Sequence, residues 1–335
     1  MAAESQRSWR LEIAGYLFLG GAGAGWAIAG AVLDWAGYRL PLQAGPAPFG
    51  VHLVAFCALG GPVITALGAL LLVFHLGRNR RLAYTAGRNP RTSWLARGFW
   101  LLSAFIAVGC TQLAIAALAP TWADDHQTTW RALEAATVTL AAGTAVYTGL
   151  LLRSMAYIAA WRPWVLTAVF VASALSGGVA ALVAGAGVAA ALGIAAEEAV
   201  ELATAAGGLD AALLVIEAVL LAAYLGTLLR GGSAGAASAR LLLRGRWWPA
   251  FWIVVLGIGL VAPLSVDLVP QADGWSGLVG AALVVLAGGF VLRLLVLSVG
   301  SKDEPPLRRL SEWRAAARAA QPGALPRAAT SRAGV

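Results

Sequence analysis

A chain of 335 residues that is 60% hydrophobic and only 12% charged has about half the charge fraction of an ordinary soluble domain. Its mean hydropathy is +0.77, and apolar runs of roughly 20 residues, the length of a membrane helix, recur along it. The net charge of +8 does not point to nucleic acid, because the basic residues sit in short segments between apolar runs, where they act as topology signals.

These runs predict an all-α polytopic membrane protein with eight transmembrane helices, at about 13–33, 49–74, 98–119, 132–152, 164–190, 208–229, 249–269 and 276–299. The first run begins near Ile13 and continues to span length, with no cleavable signal pattern before it. The chain divides into an N-terminal segment (1–12), four spans (13–152), a loop (153–163), four more spans (164–299) and a basic, largely disordered tail (300–335).

Between spans two and three, the stretch Phe74–Gly98 carries Arg78, Arg80, Arg81, Arg88, Arg91 and Arg97. With eight alternating spans, all 24 basic residues except Arg39 and Arg131 fall on the face of this loop and of both termini. The opposite face collects Asp34, Asp124, Asp125, Glu134, Glu197, Glu198, Glu201, Asp267 and Asp273. Positive charge stays cytoplasmic, so both termini are expected on the cytoplasmic side.

Charges within spans are the best pointers to chemistry, since each costs about 2.5–3.5 kcal/mol at a helix centre on insertion scales. Span six places Asp210, Glu217 and Tyr224 at i, i+7 and i+14, on one helical stripe. Glu217 is either part of a proton path or a buried carboxyl with one neighbouring partner. Asp210 lies near the boundary. Arg293, close to the end of span eight, either snorkels to the interface or pairs with a carboxyl or a polar ligand. The glycines of Gly20–Gly25 and the run Ser173–Gly178 read as close helix packing.

The histidines bear on metal cofactors. His52 and His75 fall on one span, 23 residues apart, hence about 35 Å along the axis, and His126 is in an outer loop. No pair can clamp a haem in the usual way, and with Cys57 and Cys110 both inside apolar runs no iron–sulfur cluster has its ligands. Near the basic face, Tyr16, His75, Arg78, Tyr147, Arg153 and Tyr157 end spans one, two and four or follow closely. They suit the polar head of an amphiphile such as a quinone. The bland alternative is an interfacial belt, which the 14 tryptophans favour for most aromatics. His75 stands apart because its side chain titrates near neutrality.

Several short motifs then line up in order: YLFLGGAGAG (Tyr16–Gly25), LGR (Leu76–Arg78), NPRTSWLARG (Asn89–Gly98), YTG (Tyr147–Gly149), RPW (Arg162–Trp164), GIGLVAP (Gly257–Pro263) and GGFVLR (Gly288–Arg293) before Gly300. Together they resemble the NrfD-like family, the membrane subunits of polysulfide-reductase-type complexes. The resemblance implies two four-helix bundles and no haem or iron–sulfur cluster bound by the chain itself. It implies electron exchange between menaquinone or ubiquinone and a ferredoxin-like iron–sulfur subunit, often passed on to a molybdopterin catalytic subunit. The quinone head belongs in the first bundle, with Tyr147 as its hydrogen-bonding group, and Glu217 matches an acidic position common in span six.

In that reading His75 joins Tyr147 at the carbonyls, Arg78 stabilises an anionic reduced head, Tyr16 stands nearby, and Glu12 is an outlying candidate for proton exchange. Asp210, Glu217, Tyr224 and Arg293 form the candidate proton path. Two departures stand out. Many members have Asp where His75 stands, and many face a periplasmic partner with the LGR-bearing side, whereas the charge pattern here favours a cytoplasmic one. The alternatives are a secondary transporter or proton channel using the acidic stripe, and a passive anchor. Against the transporter, Pro62 and Pro263 do not occupy matching places in the two halves.

Overall fold

The computed structural model describes residues 11–38, 55–57, 59–76, 93–193, 196–268 and 275–300. His52, Arg78, most of the Arg-rich loop and the tail after Gly300 lie outside them, as does the side chain of His75. All regular structure among the described residues is helical. In chain order it comprises α1 (Leu11–Trp35), α2 (Gly61–Leu76), α3 (Trp94–Leu118), the short α4 (Pro120–Asp125), α5 (Gln127–Arg153) and a 3₁₀ turn (Ala159–Trp161). There follow α6 (Trp164–Ala191), α7 (Ala196–Arg230), α8 (Ser233–Leu243), a π-helix (Ala250–Val261) running into α9 (Ala262–Leu268), and α10 (Trp275–Ser298).

Among the described residues, six helices are long and apolar enough to cross a membrane: α1, α3, α5, α6, most of α7 and most of α10. Two shorter apolar helices, Gly61–Val73 and Ala250–Val266, accompany them. The ends follow local chemistry. Glu12 lies in the first turn of α1, where the helix dipole favours a carboxylate. The Ser93 hydroxyl caps α3 by accepting the Ala96 N–H at 3.4 Å. Gly37, at φ 96°, closes α1, and the Tyr38 N–H reaches back to the Leu33 carbonyl at 2.9 Å.

The structure corrects two expected spans. A single helix over 49–74 is not continuous. Residues 55–57 are helical, Gly60 is not, and α2 starts afresh at Gly61, with Pro62 suited to a first turn because its missing N–H needs no partner. The span expected at 249–269 is not a plain α-helix. It is π-helical over 12 residues, and the Ala262 N–H bonds the Gly257 carbonyl, five residues back. Pro263 follows at once; lacking an N–H, it cannot continue the α-helical ladder into that turn.

α1 is the hub. It packs on α2, α5, α6 and α10, while α3 packs on α2 and α5, α6 on α7 and α10, and α10 on the π-helix. Glycine makes the closest contacts. A Cβ on Gly25 would collide with the Ala174 carbonyl of α6, and one on Gly178 with the backbone of Gly25 and Trp26. Gly259 and Gly288 meet the same way between the π-helix and α10. Small residues let backbones touch where apolar side chains gain little by leaving lipid.

The segment between α5 and α6 tucks inward. Trp161 is fully buried and donates its indole N–H to the Val296 carbonyl at 3.0 Å. Ser238 of α8 donates to the Val299 carbonyl at 2.8 Å. Arg153 lies over the Trp164 ring at 3.3 Å, and the Arg162 Nε–H bonds the Ala156 carbonyl at 3.0 Å. The Trp161 bond ties the end of α10 to the loop, and the Ser238 bond ties it to α8.

Candidate functional site

At the N-terminal end of α1 and the C-terminal end of α5, the Tyr16 and Tyr147 hydroxyls share a hydrogen bond. Both rings are buried. The antiparallel crossing of the two helices sets this pairing. A third helix completes it: Tyr147 lies across Gly98 of α3, where a Cβ would overlap the ring at Cζ, Oη and Cε2. Two phenols bonded to each other use one of their two protons, leaving the other to donate to an acceptor.

The other proposed members of this group are less defined. His75 lies in the last turn of α2, with its side chain and Arg78 outside the described residues. Glu12 is exposed at the start of α1, and Tyr157 is exposed as well. The structure therefore brings together Tyr16 and Tyr147, and does not bring Glu12 into the buried group.

A second cluster lies between α6, α7 and α10. Arg293 is fully buried, so the snorkelling alternative fails. Its guanidinium donates to the Ser173 hydroxyl at 3.0 Å and to the Gly289 carbonyl at 2.9 Å. Phe18 of α1 and Phe170 of α6 each lie with their ring centroids 5.4 Å from its central carbon, a distance at which the ring quadrupole attracts a cation. The Ser176 hydroxyl donates to Glu217 at 2.9 Å, Ser173 also bonds Glu217, and Arg293 faces the same carboxyl. Arg293 Nε and Nη2 have no hydrogen-bond partner among the described residues. Gly21 leaves the room beside Nη2 that a side chain there would crowd.

Asp210, Glu217 and Tyr224 are all buried, as one stripe requires. Tyr224, however, donates to the Ala160 carbonyl at 2.8 Å. It ties α7 to the inward loop, which occupies the proton a relay would need.

Sequence reasoning missed four contributors. Gly98 appeared only as the end of a motif. Ser173 and Ser176 appeared as packing residues, although their i, i+3 spacing puts both hydroxyls on one face. Phe170 carried no signal at all. Among the described residues, no three His, Cys, Asp or Glu side chains stand close enough to hold a metal ion.

Long apolar helices, glycine-mediated helix contacts and a buried Arg–Ser–Glu cluster define a multi-pass helical membrane protein with polar groups held inside the apolar assembly. Comparison with known proteins narrows the class. Residues 2–302 match the family described as Polysulphide reductase, NrfD, and the chain belongs to that family. It is 30% identical over 309 residues to one of the polysulfide reductase chains of Wolinella succinogenes, a match covering 87% of this protein and 94% of that one.

Proposed function

We propose that this chain is the quinone- and quinol-binding membrane subunit of a respiratory oxidoreductase complex. It exchanges electrons between the quinone pool and a ferredoxin-like iron–sulfur partner, with a molybdopterin catalytic subunit beyond. The observation that carries this reading is the buried Tyr16–Tyr147 pair against Gly98, which keeps one phenol proton available at the edge of the apolar interior. A quinone head needs such a donor at a carbonyl, together with an apolar approach for its tail, and membership of a family described by polysulphide reductase supports it.

When bound, a quinone supplies two-electron, two-proton chemistry. The chain's own part is to hold and orient. Tyr147, fixed by Tyr16 and α3, orients a carbonyl oxygen; His75 and Arg78 keep the head-group roles that the family resemblance implies, outside what the described side chains show. The Glu217–Ser173–Arg293 cluster, with Asp210 further along the same stripe, holds protons within the apolar interior. Tyr224 serves as an anchor.

The eight-span architecture belongs to the same proposal. The two shorter apolar helices count as spans two and seven. The packing of α1 with α2 and α5, of α3 with α2 and α5, and of α6 with α7 and α10, supports two four-helix bundles. Both termini and the Arg-rich loop then face the cytoplasm, where the partner docks. Quinol-linked electron transfer by the purified complex tests the reading with Tyr147→Phe, His75→Ala and Glu217→Gln. Impaired quinone kinetics are expected for the first two and altered proton coupling for the third; unchanged behaviour in all three refutes it.

A further inference from the structure

At the opposite end of α1 and α5 from the tyrosine pair lies a second polar group. Glu134 of α5 is only 3% exposed. The Trp35 indole N–H donates to its Oε2 at 2.7 Å, and Arg131 Nη1 donates to the same oxygen at 2.9 Å. Arg131 Nη1 also bonds Asp34 at 2.6 Å. Two carboxylates thus share one guanidinium, and the trio carries one negative charge in excess. Arg131 and Asp34 are partly exposed, so the trio opens to solvent on its outer side.

Against Glu134 lies a cavity with room for about one water. Glu134, Thr137 and Gln112 supply its polar lining, with Pro62 and Gly109 among its apolar walls. Gln112 is 3% exposed, and among the described residues no hydrogen bond reaches or leaves its side chain. A buried amide facing a water-sized cavity is costly to leave dry. Both hydrogen bonds to Glu134 end on Oε2, so Oε1 is the oxygen left for the cavity.

We propose that Glu134 is a proton-binding site on the face opposite the tyrosine pair, exchanging through a water held between Gln112 and Oε1. A hydronium ion arriving from solvent gives its proton to the cavity water, which passes one to Oε1. An O–H bond forms on the carboxyl, water remains, and the excess charge of the trio is cancelled. The charged groups facing Glu134 are Asp34 from α1 and Arg131 from its own helix. α3 contributes Gln112, and Leu59 and Pro62 contribute no charge. Nothing in this site depends on quinone binding.

Infrared difference spectra of the full chain in lipid nanodiscs, acid minus alkaline, test it. A protonated-carboxyl band is expected that disappears in Glu134→Gln and persists in Glu217→Gln. In Gln112→Leu the band should move to higher frequency, because the carboxyl loses its water-bridged partner. That variant keeps the charged trio intact should Glu134→Gln fail to fold. A spectrum unchanged by Glu134→Gln, or a band unmoved by Gln112→Leu, overturns the proposal and leaves Glu134 a permanently ionised structural partner of Arg131.

Discussion

Replacing Gly98 by alanine adds a single methyl group, and the structure says where it goes. It would overlap Cζ, Oη and Cε2 of Tyr147, so the ring must give way by well over an ångström to regain ordinary contact. The ring is buried where α1, α3 and α5 meet. Overpacking of this kind costs about 1–3 kcal/mol. The Tyr16–Tyr147 bond, about 0.5–1.5 kcal/mol when intact, is lost with it. A destabilisation of about 2–4 kcal/mol follows from these two contributions, readable as a shift of the unfolding midpoint in mixed micelles. A phenol displaced by that much should also slow quinone turnover by about 10²-fold, the penalty typical of an ångström-scale misplacement. Placing Gly98→Ala in a Tyr147→Leu background should abolish most of the stability effect, since the collision partner is gone. Equal destabilisation in both backgrounds, or wild-type turnover in the single variant, would refute the argument.

Arg293→Met removes the cation facing Glu217 and the hydrogen bond that the Ser173 hydroxyl accepts from it. A loss of about 3–5 kcal/mol is expected, and adding Glu217→Gln should recover part of it; a double-mutant cycle with coupling below about 0.5 kcal/mol would contradict the cluster. Tyr224→Phe leaves the Ala160 carbonyl unpaired and should cost about 1–3 kcal/mol. The pH profile of turnover should stay in place, because that hydroxyl is committed to the loop. Gly25→Ala puts a methyl group onto the Ala174 carbonyl, whereas Gly20→Ala meets nothing within 4 Å. The first should fail to accumulate as a monodisperse protein in size-exclusion chromatography and the second should behave as wild type.

Helix existence was legible because length and apolarity suffice for it: α1, α3, α5, α6, α7 and α10 all fall on expected runs. The π-helix was not, since a uniformly apolar run such as Ala250–Val261 has no polar face to reveal its period, and Pro263 alone only hints at an interruption. The acidic stripe was legible from spacing on one helix. Its partners were not, because Ser176 and Glu217 are 41 residues apart and Arg293 and Ser173 are 120 apart, and such pairings depend on which helices become neighbours. Arg293 also shows why depth along a span misleads. It sits near the end of α10, yet aromatic rings from α1 and α6 enclose it. The Tyr147 site was half legible. The motif singled out Tyr147 as a candidate, while the glycine that its ring packs against drew no attention, because glycine is abundant here and only three-dimensional contact distinguishes a seat from a spacer.

The contact of Gly25 with Ala174 and of Gly178 with Gly25 is main chain on main chain. It has no interdigitating side chains that could slide from one register to the next, so α1 and α6 act as one welded beam between the N-terminal and C-terminal halves of the molecule. Rocking one half against the other, as alternating-access carriers do, would mean prying apart this main-chain contact between α1 and α6. Under the proposed function, protons would pass through such a frame between fixed side chains and waters. The work of coupling then falls to proton positions and side-chain rotamers, with the helices as a rigid chassis.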